Sequence, residues 1–133
     1  MMPRNLRKSV TLYGLENYSQ VIDEVTGHML SETDRFNTRL VLSEALVNAY
    51  MHGNRMDQTK PIRLDYRVGV NSAVFKIKDC GPGPCIEQIP EVIPEERILD
   101  EKGRGLFLIK QLARRMECKN GRLCIEMKLY DPR

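Results

Sequence analysis

Hydrophobic and polar positions along the chain follow two periods, one typical of strands and one of helices. A two-residue period, as in Val10 and Leu12 or in Ile62, Leu64, Tyr66 and Val68, is typical of half-buried strands. Strands are predicted at residues 7–12, 62–70, 73–77, 117–119 and 123–129. Between the last two lie Asn120 and Gly121, a dipeptide that favours a type I′ hairpin turn.

Apolar residues spaced by three and four positions predict three helices. The first covers residues 15–30, and the third covers residues 105–116. The second begins after Ser31, a favourable N-cap, and continues to about His52, where Gly53 is a suitable residue to end it. Its apolar residues almost surround the helix axis, so we expect this helix to be buried on most sides.

The predicted order, β-α-α-β-β-loop-α-β-β, brings consecutive strands into pairs and favours antiparallel ladders over a doubly wound parallel sheet. We therefore expect an α+β fold, a two-layer sandwich with helices on one face of a mixed, mostly antiparallel sheet. A length of 133 residues fits one domain, so we expect residues 1–133 to form a single domain.

Composition excludes only a few classes of function. There are 21 Lys and Arg against 18 Asp and Glu, a net charge of +3, and 41% of the residues are hydrophobic. These values are typical of a globular protein. The basic residues are dispersed among acidic ones without an aromatic-rich basic block, so direct binding to nucleic acid is not expected.

The sequence gives no sign of membrane insertion or export. No run approaches the ~20 apolar residues of a membrane helix, and no apolar segment follows the first basic residues. We expect a cytoplasmic protein in which the four cysteines, Cys80, Cys85, Cys118 and Cys124, are reduced thiols. Their spacing does not favour a zinc site.

Three polar residues interrupt the apolar second helix. Glu44, Asn48 and His52 are four residues apart, so successive members are neighbours along one line of the helix. Burying them without partners costs several kcal/mol. They are therefore expected to face a wet cleft or one another, although a solvated stripe would show the same spacing.

Two glycine-containing segments are further candidates. Residues 79–84 (DCGPGP) directly follow an apolar strand, where Asp79 offers a carboxylate and the glycines let a ligand approach the backbone. Residues 102–106 (KGRGL) precede a helix, whose first amide groups form an anion site. Each segment alone has a simpler interpretation, a Pro/Gly turn or a flexible hinge. Neither a P-loop nor a Rossmann glycine motif occurs.

The order of the three segments resembles that of the GHKL ATP-binding superfamily, which has the Bergerat fold. Residues 43–54 (SEALVNAYMHGN) resemble its N box, residues 79–83 (DCGPG) its D-x-G-x-G box, and residues 103–108 (GRGLFL) its second glycine box. The resemblance covers about residues 7–129. Within the superfamily, the sequence is most similar to the short anti-sigma factor serine kinases of bacteria.

The resemblance implies a role for each matching residue. Asn48 would hold a Mg²⁺ ion that bridges the phosphates of ATP, and Glu44 would polarise the attacking hydroxyl group. Asp79 would accept a hydrogen bond from the adenine amino group, while Gly81 and Gly83 would let the chain pass close to the nucleotide.

The resemblance also implies a phosphate-binding segment and a lid. Backbone amides and positive charge from five residues would contact the phosphates: Lys102, Gly103, Arg104, Gly105 and Leu106. Residues 84–102 would form the ATP lid. His52 is expected to orient its neighbours and not to accept phosphate. Two residues depart from the family pattern: Pro84, beside the second glycine of the D-x-G-x-G box, and Val47, within the N box.

The implied activity is a serine kinase that uses Mg-ATP to phosphorylate an anti-sigma factor antagonist. The same protein would bind a sigma factor, and its choice of partner would depend on ATP or ADP. A nucleotide-gated binding module without useful turnover is the main alternative. A sensor histidine kinase domain is less favoured, since no dimerisation helix with a phosphoacceptor histidine precedes residue 7; a degenerate domain stays open. A homodimer is also expected.

Overall fold

The computed structural model describes residues 6–84, 86, 89 and 104–130. Its elements follow the predicted order, with one π-helical turn added after the second helix. They are β1 (Leu6–Tyr13), α1 (Tyr18–Thr26), α2 (Glu32–Asn48), the π turn (Ala49–Gly53), β2 (Pro61–Val68), β3 (Ser72–Lys78), α3 (Arg104–Leu112), β4 (Arg115–Lys119) and β5 (Arg122–Lys128). The predicted lid lies almost entirely outside the described residues.

The five strands form one sheet in the order β1-β2-β3-β5-β4. All four neighbouring pairs among the described residues are antiparallel, so the parallel pair that a mixed sheet would contain is not found there. The predicted α+β class is confirmed. The β4–β5 turn has φ angles of +53° at Asn120 and +74° at Gly121, as a type I′ turn requires.

The strand register divides the sheet into an inner and an outer face, because residues directly opposite each other on paired strands point to the same side. The inner face is apolar and buried, and its residues join the same core as α1, α2 and α3. One row across it consists of Val10, Leu64, Ile77 and Leu123. The outer face is polar, so all three helices lie against a single face of the sheet, as predicted.

Helix α2 packs through one stripe and is not buried all round, contrary to expectation. Its buried apolar residues recur at helical spacing: Val41, Leu42, Ala45 and Leu46. Phe36 is 68% exposed, so the apolar residues outside this stripe do not all contribute to the core. The predicted N-cap is confirmed, since the Ser31 hydroxyl accepts a hydrogen bond of 3.3 Å from the Asp34 N–H.

Two helices are shorter than predicted. α1 begins only after a turn in which Gly14 has a φ of +69°, and it ends at Thr26, after which the N–H groups of residues 28 and 29 make i to i+3 hydrogen bonds. α3 ends at Leu112 because the Arg114 N–H donates to the Glu126 carbonyl of β5 at 2.8 Å. Sheet pairing thereby takes Arg115 and Met116 into β4. None of the described helices is long and apolar enough to cross a bilayer.

Candidate functional site

The C-terminal end of α2 widens into a π turn instead of continuing as a regular helix. The Asn54 N–H donates to the Ala49 carbonyl at 2.8 Å, which closes an i to i+5 turn. Such turns are rare and occur frequently at functional sites. His52 lies within this turn and is exposed, with no hydrogen bond found in the described part of the chain. Its expected role stays a prediction.

The carboxylate of Asp79 lies directly against the π turn. Asp79 is the first residue after β3, is 8% exposed, and its Oδ1 accepts a hydrogen bond of 2.7 Å from the Gly81 N–H. A Cβ atom on Gly53 would lie 2.0 Å from Oδ2 of Asp79. Only glycine leaves room for this contact, so the end of the N box and the start of the second box depend on each other.

The two carboxylate oxygens of Asp79 differ in their partners among the described residues. Oδ1 is held by the Gly81 N–H, whereas no donor from the described residues reaches Oδ2. A nearly buried carboxylate with one oxygen fixed and the other open is suited to bind a ligand N–H group.

Asn54 holds this arrangement together, and sequence reasoning assigned it no role. It is fully buried, and its Oδ1 accepts a hydrogen bond of 2.8 Å from the Cys80 N–H. Its Nδ2 donates to the carbonyls of Lys60 and Pro61 at 3.0 and 3.2 Å. Asn54 therefore joins the π turn, the start of β2 and the loop after β3. The sequence contained a signal for this role, because Asn54 is a polar residue directly after Gly53, which was predicted to end the helix.

The two glycines of the loop after β3 have different surroundings. A Cβ on Gly81 would lie 2.9 Å from the Gly53 carbonyl oxygen, so Gly81 also permits close contact with the π turn. Gly83 has a φ of +88°, and a Cβ there would lie 2.5 Å from Cys118 Sγ. Gly83 thus fixes the path of the chain beside the β4–β5 hairpin. That both glycines approach the nucleotide stays a prediction.

Cys118 borders the same region on the sheet side. Burial raises the pKa of its thiol, and the negative charge of Asp79 raises it further. The thiol therefore stays protonated near neutral pH and is a poor metal ligand. No group of three His, Cys, Asp or Glu side chains suited to a metal ion occurs within the described ranges.

The other end of the candidate site joins Glu44 to the start of α3. A Cβ on Gly105 would lie 2.3 Å from Oε2 of Glu44, so the carboxylate rests against the glycine backbone in the first turn of α3. Arg104 at the start of α3 is exposed, and Leu106 packs against the core. Lys102 and Gly103 lie outside the described residues. The structure thus brings two of the predicted segments together at this end.

The two ends are separated along the axis of α2. Glu44 and Gly53 are nine positions apart, which corresponds to about 13 Å at ~1.5 Å per residue. Asn48, the last residue of α2, lies between them and is half-buried. The site is therefore elongated, with a carboxylate acceptor at one end and a carboxylate beside a helix N-terminus at the other.

Comparison with known protein families identifies the family to which the chain belongs. The family model described as the histidine kinase-like ATPase domain matches residues 12–129. The chain belongs to this family. It is an ATP-binding module of the GHKL type, and the predicted superfamily is thereby confirmed. In a search of curated proteins, no protein matched the chain.

The residues of the histidine kinase-like ATPase domain fit ATP at both ends. Asp79 Oδ2 is an open acceptor, which suits an exocyclic amine such as that of adenine. The start of α3 carries the positive end of the helix dipole, which attracts phosphate. An acceptor suited to an amine thus lies at one end of the candidate site, and a helix N-terminus suited to an anion lies at the other.

Proposed function

We propose that this chain is a protein serine kinase of the anti-sigma factor type. Its substrate is an anti-sigma factor antagonist, and its second protein partner is a sigma factor, which it sequesters in the cytoplasm. ATP and ADP set which partner is bound. The family match and the resemblance in residues 43–54 support this proposal.

One observation carries the proposal: the Glu44 carboxylate lies against Gly105, where α3 begins. A helix N-terminus attracts the terminal phosphate of a nucleotide, and a carboxylate beside it is placed to act as a general base. A module that only binds nucleotide has no need of a carboxylate at this point, since its negative charge repels the phosphates.

In the proposed reaction, each residue acts on a defined atom. Asp79 accepts a hydrogen bond from the adenine amino group and fixes the base. Glu44 takes the proton of the substrate serine hydroxyl while the serine oxygen forms a bond to the γ-phosphorus. The bond from the γ-phosphorus to the ADP oxygen breaks, and ADP leaves with that electron pair. Positioning and neutralisation of charge supply most of the rate enhancement in reactions of this class.

Asn48 is proposed to hold a Mg²⁺ ion, which would neutralise phosphate charge. Its side-chain oxygen is a suitable hard ligand, and the remaining ligands would be phosphate oxygens and water. That requirement matches the described residues, which contain no ready-made cluster of metal ligands. Asn48 itself is half-buried on α2, between the two ends of the site.

The test is transfer of labelled γ-phosphate from ATP to purified anti-sigma factor antagonists, with phosphoamino acid analysis. We expect phosphoserine with the wild-type chain and at least a ~100-fold slower transfer with Glu44→Ala, at unchanged affinity for ATP. Glu32→Gln is the matched control, because Glu32 is an exposed carboxylate in the first turn of the same helix.

Two other outcomes would contradict the kinase proposal. ATP-dependent binding of an antagonist without phosphate transfer would favour a nucleotide-gated binding module. Equal transfer rates for wild type and Glu44→Ala would show that Glu44 is not the base.

A sedimentation run tests the predicted homodimer separately, and a monomer at high micromolar concentration would contradict it.

A further inference from the structure

The outer face of the sheet gathers basic residues that are scattered along the sequence. Cross-strand register assigns each residue to a row, and the rows can be read directly from the strand pairing. The first row contains Thr11, Arg63, Lys78, Arg122 and Lys119; the second contains Ser9, Asp65, Lys76, Cys124 and Glu117; the third contains Arg7, Arg67, Val74, Glu126 and Arg115.

This outer face is far more basic than the chain as a whole. With Lys128, which follows on β5, it carries nine cations against three carboxylates, a net charge of +6. The whole chain has a net charge of +3, so the rest of the chain is net negative by three. The excess arises because the two-residue period of the strands turns dispersed Lys and Arg toward one side.

Four of these cations are exposed and lie beyond ion-pair distance of any carboxylate among the described residues. Arg7, Arg67, Lys76 and Arg122 make no ion pair in the described part of the chain. They come from four different strands and line one shallow depression of the face. Like charges held this close repel one another, and an anionic partner would reduce this electrostatic repulsion.

The carboxylates on the face do not cancel this charge. Asp65 is already occupied, since it accepts hydrogen bonds from the Ser9 hydroxyl and from Arg63 Nε at 3.2 Å. These bonds, the one from Ser9 first, hold the pKa of Asp65 below its ordinary value. Asp65 thus stays ionised and fixes Arg63, while the four unpaired cations point to solvent.

We propose that the outer face docks an acidic surface of a protein partner. Five strands about 4.8 Å apart and about six residues long give an area on the order of 400 Å² per side, which suits a weak, electrostatically steered complex. The proposal is independent of the nucleotide, because the described helices and the candidate nucleotide site lie on the inner face.

The composition of the face favours a protein over a nucleic acid. On and beside the described strands, exposed aromatic side chains lie only near the strand ends, at Tyr13 and at Tyr130, whose ring centre is 5.3 Å from Lys128 Nζ. The three central rows contain none, so bases would find no stacking surface at the centre of the face. Glu117 and Glu126 on β4 and β5 would repel a phosphate backbone, but they can pair with the basic residues that acidic protein surfaces also contain. Val74 and Cys124 give the centre a small apolar area.

The experiment uses the full chain, labelled with ¹⁵N, titrated with a poly-L-glutamate of about 20 residues. Single-stranded and duplex DNA of the same length are titrated in parallel. The double variant Arg67→Glu/Lys76→Glu removes two unpaired cations of the face. Lys60→Glu/Arg114→Glu is the matched control, since both residues are exposed, make no ion pair within the described ranges, and lie off the outer face.

We expect the peptide to shift the amide signals of the outer rows and to bind more tightly than either DNA. The face variant should weaken peptide binding about tenfold and the control less than about twofold, because four units of charge change at the contact in the first case only. ATP affinity should be the same in all three proteins. Equal weakening by both variants, tighter binding to DNA, or no binding by the wild type would overturn the proposal.

Discussion

At the scale of single residues, Gly53 and Asn54 determine where the Asp79 carboxylate lies. Gly53 contributes by having no side chain, since a Cβ would lie 2.0 Å from Oδ2 of Asp79. Asn54 contributes three hydrogen bonds that hold the π turn against the loop after β3. The position of the Asp79 carboxylate thus depends on these two neighbouring residues.

Gly53→Ala should weaken ATP binding without unfolding the chain. The added methyl group displaces the Asp79 carboxylate, and loss of a charged hydrogen bond costs about 1.5–3 kcal/mol, roughly 10- to 100-fold in Kd. Calorimetric titration with Mg-ATP measures this change. Gly27→Ala at the end of α1 is the control, because Gly27 has ordinary helical backbone angles. Unchanged affinity in Gly53→Ala would show that Asp79 is not a ligand contact.

Asn54→Ala should destabilise the chain by about 2–4 kcal/mol, since one buried N–H and two carbonyls lose their partner. Urea unfolding at neutral pH measures the loss. Asn71→Ala is the control, because Asn71 is exposed in the β2–β3 turn. If Asn54→Ala and Asn71→Ala unfold at the same urea concentration, the assigned role of Asn54 is wrong.

Sequence reasoning singled out Asp79 and Glu44 as candidate site residues but did not identify the residues that hold them in place. An ionisable side chain in a motif is visible in the sequence. The need for glycine at positions 53 and 105 arises from a carboxylate distant along the chain, and only the folded structure brings the two together. The burial of Asn54 likewise depends on β2 and on the loop after β3, which no local pattern specifies.

At the scale of elements, α2 is the support on which both ends of the site are built. One end meets α3 through Glu44 and Gly105, and the other meets the loop after β3 through the π turn. The five strands followed from the two-residue period, and the type I′ turn followed from Asn120 and Gly121. The π turn has no sequence signature, and the end of α3 was set by pairing with β5, so neither was predicted.

Gly105→Ala should slow phosphate transfer while leaving the fold and ATP affinity intact. Alanine favours a helix over glycine by about 1 kcal/mol, so α3 should not weaken. The methyl group would meet the end of the flexible Glu44 side chain, which can move aside but then no longer sits beside the first turn of α3. A single-turnover rate measured beside an ATP titration separates the two effects. An unchanged rate would contradict the role of Glu44.

Glu24 on α1 ties the helix to the sheet in a pH-dependent way. It accepts hydrogen bonds from Lys8 of β1 and from the Tyr66 hydroxyl of β2, the latter at 3.3 Å. The bond from Lys8, above all, lowers the pKa of Glu24. Burial, and then the charge of Glu24, raises the pKa of Tyr66 to about 12, so its hydroxyl stays a donor.

A lowered pKa in the folded state stabilises the fold at neutral pH, and this contribution is lost as the pH falls below the ordinary value of 4.5. Glu24→Gln should therefore lower the free energy of unfolding at pH 7 by less than about 1 kcal/mol, since the pair is partly exposed. The difference from wild type should shrink in urea unfolding below pH 4. Glu16→Gln, at an exposed carboxylate, should show no such pH-dependent difference.

At the scale of the whole molecule, one sheet separates two surfaces with different chemistry. The inner face carries the core, the helices and the elongated site, while the outer face carries an excess of six positive charges. Net charge did not reveal this separation, because +3 for the chain is the sum of a basic face and an acidic remainder. Membership of the histidine kinase-like ATPase domain family follows from residues 12–129 together.

The central claim is that Asp79 recognises the nucleotide base in an ATP site, and calorimetric titration of wild type and Asp79→Asn with Mg-ATP tests it most directly. Asparagine places an oxygen at only one of the two carboxylate positions, so its NH₂ group would face either the Gly81 N–H or the adenine amine, and one of these two hydrogen bonds would be lost. We expect roughly 10- to 100-fold weaker binding by Asp79→Asn. Asp23→Asn, at an exposed carboxylate of α1, should bind as the wild type does. Equal affinity in wild type and Asp79→Asn, or no binding by folded wild type, would contradict the claim.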